Sequence, residues 1–320
     1  MASDTIGRVD DVTYQKPPAL RPGDRVAVVA PASPFVREEF DRGLQELQAL
    51  GLVPVFDDRV FARRGFVAGD PTQRAAAFLD AWRDPSIAGL IGVRGGYGSV
   101  QMLPYLDLDT IRATPKVFIG YSDLTSLLTW LTLQGGLVAF HGPMLAGRLS
   151  LGADGYDRTS LVRAVMTADA AGEITHPRLE VIKPGEATGL LLGGTLTQLT
   201  ASLATPYAFD PPPGHLLFLD EVRERPYRLD RMLTQLRLSG LLSRAAALVF
   251  GELPGCDEPN GGVTSRDVIR EFVQDFPGPV LFGLPSGHTT GAALTLPLGV
   301  RATVDVSPTP RLIIDEAAVV

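Results

Sequence analysis

Through the first half of the chain, short apolar runs alternate with longer stretches whose apolar positions recur every three or four residues. Arg25 to Ala30, following a Pro-Gly-Asp turn, and Val53 to Phe56 read as strands. Between them Val36 to Leu50 has helical spacing, and Gly51 is placed to end it. Asp70-Pro71 sets a capping carboxylate and a first-turn proline ahead of a helix running through Ala75 to Trp82. Ala88 to Val93 reads as a third strand that ends in Arg94-Gly95-Gly96-Tyr97-Gly98. A fourth strand, from Lys116, runs through Gly120 straight into Ser122, and the amphipathic stretch Leu124 to Leu133 follows at once; Leu137 to Phe140 is a fifth strand. Strands alternating with helices of this length imply parallel pairing in a doubly wound sheet.

The pattern weakens from Ser150 to about Gly185, where Gly, Asp, Arg and Pro are common, with one short helix expected near Asp157 to Met166. Beyond it, Leu216 to Leu219, Ala245 to Phe250, Val280 to Phe282, Ala302 to Val306 and Arg311 to Ile314 read as strands, and Tyr227 to Leu238 as a helix. The expected organisation is an α/β chain of two domains. A disordered leader covers 1–18, a nucleophile-bearing domain 19–150, a linker 151–185, and a strand-rich C-terminal α/β domain 186–320.

Composition narrows the partners. With 45% hydrophobic and 20% charged residues the chain reads as an ordinary globular protein. A net charge of −7 argues against a nucleic-acid partner. No run approaches the roughly 18 apolar residues of a membrane span, and the polar N-terminus lacks the apolar core of a signal peptide. Cys256 is the only cysteine, which excludes an internal disulfide and a cysteine-based metal site and fits a reducing cytoplasm.

Strand, glycine, serine, helix is the layout of a nucleophile elbow, in which a tight turn lifts a hydroxyl clear of the sheet at a helix N-terminus. Leu124 stands where that pattern has glycine, so the local sequence also allows Ser122 to be a plain helix cap. The backbone N–H of Asp123 is placed to donate to an oxyanion, and Gly96, in a loop that lets backbone approach a substrate closely, is a second donor. That loop carries neither a dinucleotide fingerprint nor a P-loop lysine, so no cofactor is expected. Of four histidines, His176 and His215 lie in proline-flanked loop segments, His141 follows a strand and either faces the strand-end crevice or is structural, and His288 sits on the small-residue turn after Val280 to Phe282. His288 ranks first as a base. Asp220 and Glu221 end the strand before them, and alternation sends them to opposite faces, so one of the two serves to orient the imidazole. Serine, acid, histidine is a known triad order, and its split across two halves places the active site at the domain interface.

These segments together resemble the LD-carboxypeptidase family of serine peptidases, the muramoyl-tetrapeptide carboxypeptidases, and the related microcin C immunity peptidases. The resemblance rests on Arg21-Pro22-Gly23-Asp24 with Val29 to Pro34, Arg94 to Gly98, Gly120-Tyr121-Ser122-Asp123 and His141-Gly142-Pro143. In the second half it rests on Gly193-Gly194, Pro226 to Arg231, Gly287-His288-Thr289 and Leu296-Pro297-Leu298-Gly299. It implies a Ser-Glu-His triad with Ser122 as nucleophile and His288 as base, a metal-free cytoplasmic homodimer, and a murein tetrapeptide substrate losing terminal D-alanine in peptidoglycan recycling. An ungapped match sets Asp220 on the family's glutamate position, and Glu221 takes it if the strand slips by one residue. Thr195 stands where the family often has asparagine, and Thr290-Gly291-Ala292-Ala293 departs from the common turn. Two alternatives remain: an immunity-type peptidase acting on peptidyl or aminoacyl nucleotides, and a non-catalytic α/β protein binding a phosphorylated ligand at Gly95–Gly98.

Overall fold

A computed structural model describes residues 13–307 and 309–320. The first sheet is built from β1 (Arg25–Val29), β2 (Val53–Val55), β3 (Ile87–Gly92), β4 (Val117–Gly120) and β5 (Ala139–His141). These five strands are parallel, in the spatial order β5-β4-β3-β1-β2. β3 and β4 are almost wholly buried, as expected of strands with helices on both faces. The helices Arg37–Ala49 and Pro71–Arg83 fall where the periodicity sets them. Asp70 caps the second by accepting from the Thr72 N–H.

The second sheet contains β6 (Gly172–Ile174), β7 (Glu180–Lys183), β8 (Glu186–Thr195), β9 (His215–Asp220), β10 (Ala245–Gly251) and β11 (Val280–Leu284). β12 (Leu296–Leu298) leaves this half and joins the first sheet antiparallel to β5, pairing Leu296 with His141. The chain then returns through Gly299 into β13 (Val300–Asp305) and β14 (Arg311–Ile314). The second sheet runs β6-β14-β13-β8-β9-β10-β11-β7, with a parallel centre, β8 to β11, and antiparallel flanks. Both sheets therefore present the carboxyl ends of parallel strands, where ligands bind in open α/β sheets.

Four details differ from the sequence reading. Residues 172–174 and 180–183, expected within a linker, are edge strands of the second sheet. The expected leader falls outside the described residues as far as residue 12, but Gln15 is already ordered: its N–H donates to the Gly136 carbonyl at 2.7 Å and its carbonyl accepts from Val138 at 2.9 Å. His215 opens β9 and is buried rather than lying in a loop. The stretch after Ser122 is not amphipathic in place. Its α-helix, Thr125–Thr129, and the wider turn Trp130–Gln134 are largely buried because the second half covers the face that would otherwise meet water. Thr129 and Thr132 satisfy their buried hydroxyls by donating to the Thr125 and Leu128 carbonyls at 2.9 Å.

Two glycines shape the end of β8. A Cβ on Gly193 would lie 1.9 Å from the Phe218 carbonyl oxygen of the neighbouring β9, and one on Gly194 would lie 2.6 Å from Thr125 of the first half. The end of β8 can therefore press onto the helix that follows Ser122, where the Thr195 N–H donates to Thr125 Oγ1 at 3.0 Å.

Candidate active site

Ser122 follows β4 with only Tyr121 between them and has φ of 62°, a left-handed conformation that costs a non-glycine residue about 1–3 kcal/mol. Its neighbour Tyr121 is extended, so the chain reverses sharply at the serine. The turn closes around Leu124. A Cβ on Gly92 or Gly120 would come within 2.3 or 2.7 Å of Leu124 Cδ1. Glycine before the turn thus makes room for a leucine after it, the reverse of what the elbow pattern leads one to look for. Ser122 does not cap the helix: its Oγ lies 3.1 Å from His288 Nε2.

The other His288 nitrogen, Nδ1, lies 2.7 Å from Asp220 Oδ2, and the His288 backbone N–H donates to Asp220 Oδ1 at 3.1 Å. Asp220 is fully buried at the carboxyl end of β9. An aspartate reaches less far than a glutamate, and Gly287 removes the difference. It has φ of 72°, and a Cβ there would lie 2.6 Å from both Asp220 Oδ2 and His141 Cε1. Only glycine lets this turn descend onto so short an acid.

Burial pulls the His288 imidazole down, but the Asp220 carboxylate, through its charge and its hydrogen bond, outweighs that, with Glu221 adding to it. The pKa lies above the usual histidine value. The remaining groups facing this ring are the Arg148 guanidinium, which opposes the rise, His141 and Tyr121, whose ring centroid is 5.2 Å away.

Glu221 points elsewhere, which corrects its place as an alternative acid. Strand alternation turns it to the opposite face, where it accepts from the Thr197 N–H and Oγ1 at 2.9 and 2.7 Å and from the Val222 N–H at 2.9 Å. Burial raises its pKa. His141 does reach the crevice, but as a wall. It is buried, Nδ1 is 3.0 Å from Ser286 Oγ, and desolvation lowers its pKa to about 4.

The glycine loop lies against the serine: a Cβ on Gly95 would be 3.1 Å from Ser122 Oγ. Gly96 has φ of 96°, and a Cβ there would strike Ser33 Oγ at 2.4 Å. Ser33 pins the loop, its N–H donating to the Gly95 carbonyl and its Oγ accepting from the Tyr97 N–H, both at 3.1 Å. Asp123 ties the loop to the elbow. Its carboxylate accepts from the Ser99 N–H at 2.8 Å, and its carbonyl accepts from Ser99 Oγ at 2.6 Å.

Two arginines that no sequence motif singled out hold these turns. Buried Arg74 donates to the Gly98 carbonyl at 2.9 Å and to that of Pro31. Arg148, from the first half, donates to the carbonyls of Gly287, Thr289 and Gly291 at 2.9, 2.8 and 2.9 Å, so it grips the turn of His288 on both sides. Carbonyl acceptors leave no trace in sequence, which is why neither arginine was foreseen. Among the described residues no group of three His, Cys, Asp or Glu side chains is arranged to hold a metal ion.

Comparison with known proteins gives two family-model matches: LD-carboxypeptidase N-terminal domain over residues 26–142 and LD-carboxypeptidase C-terminal domain over residues 188–304. A "Probable murein peptide carboxypeptidase" of Bacillus subtilis is 33% identical over 297 residues, covering 91% of this chain and 92% of that one. The crystal structure of muramoyltetrapeptide carboxypeptidase from Oxalobacter formigenes superposes with a TM-score of 0.80 at 27% identity, covering 92% and 99% of the two chains. The microcin C7 self-immunity protein MccF of Escherichia coli is 27% identical over 304 residues, 86% of this chain and 88% of that one. The fold of wild-type apo MccF matches with a TM-score of 0.87 at 23% identity, covering 96% and 100%.

Proposed function

This chain belongs to the LD-carboxypeptidase family and is a serine-type carboxypeptidase, and from that premise we propose that it releases terminal D-alanine from a murein tetrapeptide through an acyl-enzyme on Ser122. His288 Nε2 takes the hydroxyl proton as Oγ attacks the carbonyl carbon. It then returns that proton to the departing amine, leaving the acyl group on Ser122. Water repeats the cycle with His288 as base and frees the shortened peptide. Asp220 holds the imidazole with Nε2 toward the serine and stabilises the imidazolium. The N–H groups of Asp123 and Gly96 receive the oxyanion.

One observation carries this reading: a single imidazole bridges a hydroxyl from the first half and a carboxylate from the second, at 3.1 and 2.7 Å. The division of labour follows from that bridge, with 19–150 supplying the nucleophile and 186–320 the acid and base. By the same family resemblance the enzyme works as a cytoplasmic homodimer in peptidoglycan recycling. Among the described residues no helix is long and apolar enough to cross a membrane.

The kinship with the microcin C7 self-immunity protein supports a second substrate class, in which the same machinery cleaves an aminoacyl or peptidyl nucleotide. Incubation with murein tetrapeptide and, separately, with an acylated aminonucleoside, followed by mass spectrometry, separates the two. Loss of one alanine from the tetrapeptide, abolished by Ser122→Ala, is the expected result. Release of nucleoside with the tetrapeptide intact would replace the first reading by the second.

A further inference from the structure

A carboxypeptidase has to tell the last residue of a peptide from all others, and the chemical mark of that residue is its free carboxylate. His288 gives its proton to the departing amine, so the residue that leaves lies on the side of the cleft that His288 walls. On that side is a cavity of about 370 Å³, lined by Arg148, Val222, Arg223, Pro254, Gly255, His288 and Thr289. Its volume falls in the range of small-ligand sites.

The two arginines in its wall differ. Arg148 is occupied, its donors directed at the carbonyls of the His288 turn. Arg223 is exposed, and its guanidinium makes no hydrogen bond or ion pair among the described residues. The nearby carboxylates have other partners: Glu224 pairs with Arg228, and Glu258 with Arg225. The backbone nonetheless holds Arg223 firmly. It has φ of 57°, unusual for a side-chain-bearing residue, and its N–H donates to the Pro254 carbonyl at 3.0 Å. Its stem crosses Gly255, where a Cβ would lie 3.2 Å from Arg223 Cγ. Strained backbone concentrates at functional sites, and a guanidinium presents paired donors that match a carboxylate.

The geometry points to Arg223 as the group that binds the terminal carboxylate of the substrate, making the cavity beside His288 the pocket for the departing amino acid. This deepens the L,D-carboxypeptidase reading and rests on it. Arg148 adds positive charge to the pocket while its donors hold the turn. Arg223 lines the pocket together with His288, and Gly255 leaves space for its stem to cross.

The test compares murein tetrapeptide with the same peptide ending in D-alaninamide, on the full chain, by kcat/KM. The wild type should prefer the free acid by about 10- to 100-fold, the worth of a charge-assisted hydrogen bond. Arg223→Ala should bring the acid-to-amide ratio close to one, mainly through KM for the acid, and Arg223→Lys should keep an intermediate ratio. A wild-type preference that Arg223→Ala leaves intact, in a variant with an unchanged melting temperature, overturns the assignment. So does a wild type that hydrolyses both peptides equally. Hydrolysis of neither peptide by the wild type would instead remove the L,D-carboxypeptidase reading, and this assignment with it.

Discussion

Around Ser122 the contacts that fix the turn come from the first half of the chain: Tyr121 is extended before it, Gly120 and Gly92 make room for Leu124, and the Ser99 N–H donates to Asp123. Around His288 they come from far along the chain. Asp220 lies 68 residues away, Arg148 reaches the Gly287 carbonyl from 139 residues away, and Glu252 accepts from the Thr290 N–H and hydroxyl at 3.0 and 2.9 Å. Ser122 is thus held by a strained turn packed within the first half and His288 by a network spanning both halves. Substitutions remote from His288 in sequence should displace it selectively, whereas the Ser122 turn should respond mainly to its neighbours in the first half.

The largest effect expected is at Asp220. Asp220→Asn should lower kcat by about 10³- to 10⁴-fold by misorienting the imidazole. It should also move the pH profile. A base must be neutral, so activity rises as pH passes up through the His288 pKa, which Asp220 holds above the usual value. Without that carboxylate, burial dominates and the acidic limb of kcat/KM should move to lower pH. A limb that stays in place would show that the Asp220 contact does not set the titration.

Arg148 should come next. Arg148→Ala frees the His288 turn and should reduce kcat by about 10- to 100-fold, as misplacement of a catalytic group does, with Arg148→Lys recovering part of the loss. Because the Arg148 charge lowers the His288 pKa, its removal should shift the acidic limb upward, opposite to Asp220→Asn. A loss of activity with an unmoved limb would reduce Arg148 to a fold-stabilising role.

The smallest change tests the local turn. Gly120→Ala sets a Cβ 2.7 Å from Leu124 Cδ1 and should cost about 1–3 kcal/mol of stability, as overpacking does, read by denaturant unfolding. Its effect on the pH profile should be nil, because no group facing His288 is altered. A displaced acidic limb in Gly120→Ala would erase the distinction between the two turns.

The same distinction explains what the sequence made legible. The strand running into Ser122, the helix opened by Asp70-Pro71 and the parallel first sheet are local patterns, and they stand where periodicity and capping set them. Ser122, His288 and Asp220 could be named from a strand end, a small-residue turn and a serine–acid–histidine order. The choice between Asp220 and Glu221 could not, because it depends on which face of β9 meets a turn 68 residues later. Edge strands β6 and β7 were hidden because three or four residues carry too little periodicity to stand out. The crossing of β12 into the first sheet was hidden because strand partners are chosen by tertiary contact. Leu124 was misleading in isolation: its fit depends on Gly92, which lies in another strand.

The pairing of Ser122 with His288 is tested most directly by reaction with a fluorophosphonate, which labels a serine only when a base activates it, followed by peptide mapping. One adduct per chain is expected, on Ser122, with labelling slowed by at least about 10³-fold in His288→Ala. Labelling of Ser122 at the same rate in His288→Ala, or none at Ser122 in the wild type, would contradict a hydroxyl from one half activated by an imidazole from the other.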